Sequence, residues 1–487
     1  MQFKIKKILK KRESNQIFLS DTSAVALGIF FGDLVRIKQG KKEIEAVALK
    51  SNLEYGEAGI SEELLKEHAI SSSIGIEISR AKEAESLKLI LRKLSGEVLS
   101  EKEFFTIVKD INSQSLSEAA IAYFVSGVAK NGLTTKETVS LTKAMAYSGD
   151  KLNWGSKIVV DKHCVGGIPG NRTTPLVVSI CAAAGLTMPK TSSRAITSAA
   201  GTADSMEVLT QVSLPTNKLK KVVKETGACL AWGGALGLAP ADDLLIHVER
   251  KLNLDPMPQI VASILSKKLA AGSTHVLIDI PVGKGAKVSN AEGKKLAKMF
   301  NLIGSKFNLK LKTVFTDGTR PVGQGVGPVL EIRDVLSVLK QEKNLPDLES
   351  KAVFLSGEIL ELSGKAKKGQ GTRLASEILK SGSAFMKFRE IISAQGEVIS
   401  PNLSPGPLSF KIKASKTGKL VWHNQEINNL AKALGCPEHK RAGVFLDLPH
   451  FSKVQKGQVL CTLYAQNKSS LNEGISFIKS KKVFDIL

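Results

Sequence analysis

The stretch SKIVVDKHCVGGIPGNRTTPLVVSICAAAGL, residues 156–186, limits what this chain can fold into more than any other part of it. A short β-branched run, KIVV, enters a loop rich in glycine, and the loop opens into an apolar helix. Two further buried-strand candidates, HVLIDIPVG and KLKTVFTDG, are separated by the helix-like NAEGKKLAKMFNLIG. Strand, glycine turn and helix in alternation predict an α/β domain over 157–235 and 272–400, on a parallel or mixed sheet.

The flanking textures differ. Residues 1–85 alternate in QFKIKKILKK and IGIEISR, which predicts a small β-rich N-terminal module. Residues 86–150 carry helical periods broken by SG, SQSLS and NGLT, with Ser/Thr-x-x-Glu start signals in SEKE, SLSE and TTKE. This is a helical domain, to which 240–270 return through DPMPQIVASILSKKLAAG. After a Pro/Gly/Ser junction, residues 405–487 read as a small α+β domain, short strands around one helix, NQEINNLAKALG.

Composition bounds the function. The 487 residues carry a net charge of +23, which favours anionic partners such as phosphorylated metabolites. Aromatics are 5%, and no basic run is interleaved with stacking residues, so nucleic acid is not expected as the partner. The five cysteines, Cys164, Cys181, Cys229, Cys436 and Cys461, are widely spaced without a C-x-x-C, which fits a reducing cytoplasm. The basic N-terminus has no apolar core of a secretory signal, and no stretch is apolar enough to span a membrane. No histidine set has metal spacing, so no metal and no cofactor are expected.

The glycine loop is built to hold an anion, because glycines admit backbone N–H groups close to a ligand and the next helix adds its positive end. It is neither a Walker loop nor a dinucleotide turn. Lys162 and His163 adjoin it; the plainer reading is a strand-to-helix turn with Lys162 exposed. A second cluster, PKTSSRAITSAAGTADSMEVL, holds Thr191, Ser192, Ser193, Arg194, Thr197, Ser198 and Thr202 within twelve positions, suiting a ligand rich in oxygen acceptors. The alternative is a solvated loop of self-capping hydroxyls. In LDPMPQIVASILSKK, Ser263 and Lys267 share a helix face, with Asp255 ahead of them. In IDIPVGKGAK, Lys284 and Lys287 follow a buried strand, where open α/β sheets place ligand residues. DGTRPVGQGVGPVLEI is a further glycine loop, a hinge or a second binding turn.

Together the loop, the hydroxyl run and ASILSKK resemble the thymidine phosphorylase family of nucleoside phosphorylases, over Ser86 to about Leu487, with LAPADD and AQG in support. Gly-x-Pro-Gly-Asn at Gly167–Asn171, PKTSSRAIT at Pro189–Thr197 and the extra N-terminal module are similar to the AMP phosphorylase branch and its bacterial relatives named for thymidine. The resemblance implies phosphorolysis: inorganic phosphate, the co-substrate, attacks the anomeric carbon of a nucleoside or nucleoside monophosphate and the base departs. It implies phosphate contacts from Lys162, Cys164, Gly167, Ser192 and Thr202. Substrate contacts fall on Ser193, Arg194, Ala195, Ile196, Thr197, Ser198, Thr202, Ser263, Lys267 and Lys287. Catalysis falls on Lys162, His163 and Asp255, the last as a proton donor that needs a pKa raised by burial or by phosphate. The family also implies a helical domain facing an α/β domain across a cleft, hinge closure on substrate, and a homodimer or larger homo-oligomer.

Two departures bear on the substrate. Cys164 stands where thymidine phosphorylases have serine, and Val248 stands where they clamp the pyrimidine with arginine, the nearest being Arg250. The first weakens or removes one phosphate hydrogen bond, and the second leans toward the nucleotide branch. By family name the expected reaction is thymidine with phosphate giving base and (deoxy)ribose 1-phosphate, with phosphorolysis of AMP or another nucleoside 5′-monophosphate to ribose 1,5-bisphosphate as the alternative. The rival readings are a nucleic-acid binder driven by charge and a phosphoribosyltransferase, for which no acidic pair suited to a magnesium–diphosphate site is evident.

Overall fold

The computed structural model describes residues 1–8, 15–81, 84–195 and 198–487. The chain divides into two units, Met1–Ser148 with Ala239–Ser263, and Gly149–Leu238 with Ile264–Leu487.

In the first unit, the β-rich segment closes into a six-stranded barrel. Its strand order is Gln2–Ile8, Glu57–Ser61, Gln16–Leu19, Lys42–Lys50, Leu34–Gln39, Ile76–Arg80. Closure leaves no sheet edge unpaired, and Ile17, Val35, Ile37, Ile60, Ile76 and Ile78 fill the interior. The helices Glu85–Leu94, Glu101–Asn112, Glu118–Asn131 and Thr135–Tyr147 follow. Ser100 with Glu103, and Thr134 with Glu137, form the expected capping boxes. The third start signal falls differently: Ser117, not Ser115, caps the helix, which leaves Glu118 in the first turn to face the helix dipole. Phe104, Ile107, Phe124, Val128 and Leu141 build the bundle core, and Leu245 and Val248 of the helix Pro240–Leu252 join it.

In the second unit, Lys310–Asp317, His275–Val282 and Val160–Cys164 pair in parallel in that order, and Met188–Ser192 pairs in parallel with Ala228–Trp232. A parallel bridge from Val159 to Thr187 brings the two groups side by side. Of the forms the sequence left open, these ladders are all parallel. The helix Thr173–Ala183 packs on the helices Pro346–Leu362 and Ser383–Gln395 beside this sheet.

Two expectations are corrected here. The strand expected over KIVV begins at Val160 and runs on through DKHC, so the charged residues read as loop lie on the strand. The C-terminal segment carries a second helix, Lys468–Ser480, besides Asn424–Ala433.

Candidate active site

Side chains at the carboxyl ends of parallel strands face the space where α/β sheets bind ligands. Alternation puts Asp161 and His163 on one face of the strand Val160–Cys164, and Lys162 and Cys164 on the other.

The Asp161 face is a buried charge cluster. Its Oδ1 takes Lys190 Nζ at 3.1 Å and its Oδ2 takes Lys268 Nζ at 2.7 Å, all three groups being buried. Burial would raise the Asp161 pKa, but the two ammoniums outweigh it and hold the carboxyl below its ordinary range. His163, partly exposed, is pushed well below the usual imidazole range by burial and then by Lys268, Lys190, Lys162 and Lys267. It is therefore a neutral hydrogen-bonding group at neutral pH.

On the other face Lys162 is buried, not exposed as the plainer reading of the turn had it. Its Nζ donates to Thr173 Oγ1 at 3.1 Å, at the first position of the helix Thr173–Ala183. Burial lowers the Lys162 pKa and outweighs the opposing influence of Cys164 and Asp279, and Lys351 and Arg172 lower it further. Asp279, fully buried and level with Cys164 on the adjacent strand, accepts from Thr316 Oγ1 at 2.6 Å and lies 3.6 Å from Lys351 Nζ. Asn171 Nδ2 reaches Cys164 Sγ at 3.5 Å. Burial and then Asp279 raise the Cys164 thiol, so it stays protonated and offers only a weak S–H donor.

Ser192 closes the neighbouring strand. The same step along both strands from the Val159–Thr187 bridge brings it level with Cys164. Its Oγ is buried with no hydrogen-bond partner among the described residues. A buried hydroxyl without a partner is costly unless a ligand completes it.

The hydroxyl run then folds back on itself. Asp204 Oδ2 accepts from Ala195 N at 2.7 Å and Gly201 N at 2.9 Å. A Cβ at Gly201 would collide with the Ser193 carbonyl, so only glycine permits the return. Thr202 Oγ1 accepts from Arg172 Nη1 at 2.8 Å, and Ser198 Oγ donates to the Ala200 carbonyl at 2.7 Å. Arg194 is taken by Asp204 and Glu207, at 3.1 and 2.7 Å, and lies 4.7 Å over the Trp232 ring. Arg194 in turn helps hold the Glu207 carboxyl down to about 2. Ser193 is exposed, and Ile196 and Thr197 fall outside the described residues.

Gly167 has φ +90°, and a Cβ there would meet Lys287 Cβ at 3.0 Å. The exposed Lys287 thus stands against the glycine loop. Within the first unit, Ser263 Oγ donates to the buried Asp242 Oδ2 at 2.8 Å. Asp255 is exposed, so the burial invoked for its acid role is not found. Lys267, half-buried, is in the second unit close enough to His163 to act on it electrostatically.

Four residues went unassigned from sequence: Arg172, Thr173, Asp279 and Lys351. For the first two a signal was present, a cation and a hydroxyl at the exit of a glycine loop where a helix begins. For the pair Asp279 and Lys351 there was none, since only packing of the helix Pro346–Leu362 on the strand His275–Val282 brings them together.

Residues 156–385 match the glycosyl transferase family a/b domain, and residues 87–149 match that family's helical bundle domain. An AMP phosphorylase from Pyrococcus furiosus is 44% identical over 483 residues, 98% of this chain and 96% of that one. A protein named "Putative thymidine phosphorylase" from Tolumonas auensis is 43% identical over 451 residues, 91% of this chain and 89% of that one. Among solved structures, anthranilate phosphoribosyltransferase from Thermus thermophilus superposes with a TM-score of 0.53 at 18% identity, over 63% of this chain and 98% of that one, a likeness of fold. Among the described residues no helix is long and apolar enough to cross a membrane. The chain belongs to this glycosyl transferase family, among the nucleoside phosphorylases, and is a pentosyltransferase enzyme.

Proposed function

We propose that the chain catalyses the reversible phosphorolysis of a nucleoside 5′-monophosphate, releasing the base and leaving a pentose 1,5-bisphosphate. The observation that carries phosphorolysis is the group of anion-binding parts at one sheet end. These are the buried Lys162 ammonium on Thr173, the Ser192 hydroxyl, which has no hydrogen-bond partner among the described residues, the glycine loop and the start of the helix Thr173–Ala183. Phosphate held there is oriented as a nucleophile, which lowers the entropy cost of attack. Its oxygen bonds to C1′ as the N-glycosidic bond breaks, and that bond's electron pair leaves with the base. The anionic nucleophile also stabilises the positive charge that builds on the sugar. Asp255 is the group assigned to protonate the base, with Ser263 and Lys267 as base contacts.

The 5′-phosphate half of the reading is supported at two positions. Val248, where thymidine phosphorylases clamp the pyrimidine with arginine, is buried in the apolar bundle core, and Arg250 nearby is exposed. Lys287 adds a second cation beside the glycine loop, suited to an additional phosphate. A second reading, thymidine with phosphate giving thymine and deoxyribose 1-phosphate, is favoured by the names of relatives such as that from Legionella pneumophila, 42% identical.

The test is base release from AMP, CMP, UMP, thymidine, uridine and deoxyuridine, each with and without phosphate. Phosphate-dependent release from monophosphates is expected; release from thymidine alone overturns the 5′-phosphate reading. Asp255→Asn is expected to lower kcat about 10²-fold, the low end for proton transfer because Asp255 is exposed, with KM little changed. An unchanged kcat across the pH range would remove Asp255 from the mechanism.

A further inference from the structure

We propose that Asn428 is a positioning residue of the active site, clamping the glycine loop to the hydroxyl-rich loop through one buried carboxamide. The proposal rests on the reading of those two loops given above. Asn428 lies on the helix Asn424–Ala433 and is completely buried. Its Oδ1 accepts from the Ala199 N–H at 3.2 Å, and its Nδ2 donates to the Gly167 carbonyl at 3.3 Å. These partners stand 229 and 261 residues away in sequence. Reversing the amide would set donor against donor and acceptor against acceptor, so the two bonds fix its orientation.

A buried carboxamide is costly unless both halves are used. Here the two halves are spent on two loops rather than on the helix that carries them. One turn earlier Asn424, also buried, donates Nδ2 to the Gly318 carbonyl at 2.8 Å, so the same helix face reaches the loop DGTRPVGQG as well. The residues around Gly167 and Ala199 lie outside regular helix or strand, where ladder hydrogen bonds would otherwise fix them. An anion cradle works only when its donors are oriented before the ligand arrives. Asn428 supplies that orientation by tying the loop beside Lys287 to the loop that ends in Thr202. The C-terminal segment thereby becomes part of the catalytic architecture rather than an appended domain.

The test uses full-length Asn428→Leu, which keeps the number and branching of the side-chain heavy atoms but is bulkier and unable to hydrogen-bond. The KM for phosphate is expected to rise about tenfold, the scale of one or two lost buried hydrogen bonds, with a smaller fall in kcat. A phosphate KM within about twofold of wild type overturns the clamp even if Tm drops, because a residue needed only for folding lowers the active fraction and leaves KM alone. Should Asn428→Leu fail to fold, Asn428→Asp keeps the shape and the acceptor for Ala199 while losing the donor to Gly167. It is expected to raise the phosphate KM and leave the nucleotide KM near wild type; the opposite pattern overturns the proposal. If the wild type releases no base from any substrate, the functional reading has failed, and the clamp is then judged by amide hydrogen exchange. Residues 165–171 and 198–201 are expected to exchange faster together in Asn428→Leu, and a change in one loop or in neither overturns the clamp.

Discussion

Replacing Lys162 by methionine is expected to reduce kcat/KM for phosphate by about 10³-fold while leaving Tm unchanged or higher. The two halves have one cause. Lys162 is 1% exposed, and its ammonium has a single neutral hydroxyl, Thr173 Oγ1, as its hydrogen-bond partner among the described residues. Burial pulls its pKa below the ordinary lysine value. Between the lowered and the ordinary pKa the unfolded chain holds a proton that the folded chain does not. Stability is therefore lost as pH falls through the ordinary value, until the folded pKa is reached, and the penalty stays constant below it. At neutral pH the lysine weakens the free protein, and methionine, similar in length and uncharged, removes that cost. What it cannot replace is the charge proposed to meet the phosphate. The same lowered pKa predicts that phosphate KM rises with pH before the ordinary lysine value of about 10.4 is reached. Burial raises the neighbouring Cys164 thiol, which is the other group on this face that can lose a proton at alkaline pH, so the profile is measured in Cys164→Ser as well. The alkaline limb is expected to persist there and to vanish in Lys162→Met. A limb lost with the thiol instead would assign it to formation of the Cys164 thiolate rather than to loss of the Lys162 charge. A Tm that falls steeply in Lys162→Met would make the lysine a structural residue.

The alternation of strand, glycine turn and helix was sufficient for the α/β unit, because a parallel sheet buried on both faces needs strands that are nearly all apolar, and HVLIDIPV is apolar apart from His275 and Asp279. It failed at the strand that matters most. VDKHC carries two charges and a histidine, so pattern alone ends the strand at Val160. The strand continues because Asp161 is neutralised by Lys190 and Lys268, 29 and 107 residues further on, which no local pattern can register. Thr173 was passed over for a related reason: within TTP it reads as a helix-start residue, and only the fold sets it on the Lys162 ammonium. Residue identity made Lys162, Ser192 and Thr202 candidates, and the fold adds why each is available. Lys162 is held by one hydroxyl, Ser192 Oγ has no partner among the described residues, and Thr202 is oriented by Arg172. Arg194 was singled out as the one cation of the hydroxyl run. Its guanidinium is instead occupied by Glu207 and Asp204, partners that appear in sequence only as ordinary acidic residues of a helix.

Arg172→Met is expected to cost about 3–5 kcal/mol of stability, lowering Tm by roughly 10 °C, and to remove most activity. Arg172 directly precedes the helix Thr173–Ala183, and each of its three guanidinium nitrogens is engaged. Nε and Nη2 hold Glu331 Oε2 at 2.8 and 2.7 Å, Nη1 donates to Thr202 Oγ1 at 2.8 Å, and Nη2 donates to the Ala200 carbonyl at 2.8 Å. Glu331 is 1% exposed and also accepts from Ser205 Oγ at 2.9 Å. Removing the arginine strands a buried carboxylate, and that stranded charge rather than the lost attraction makes the effect large. The double variant Arg172→Met, Glu331→Leu removes both charges and is expected to recover most of the Tm, since exchanging a buried ion pair for apolar groups is close to neutral. Activity is not expected to return with it, because Ala200 and Thr202 have lost the anchor that aims them whether or not the carboxylate is present. Tm and phosphorolysis measured on the single and double variants therefore separate the two roles. Recovery of both together would mean that the pair only supports the fold. Recovery of Tm alone assigns Arg172 to holding the hydroxyl-rich loop in the geometry that receives substrate.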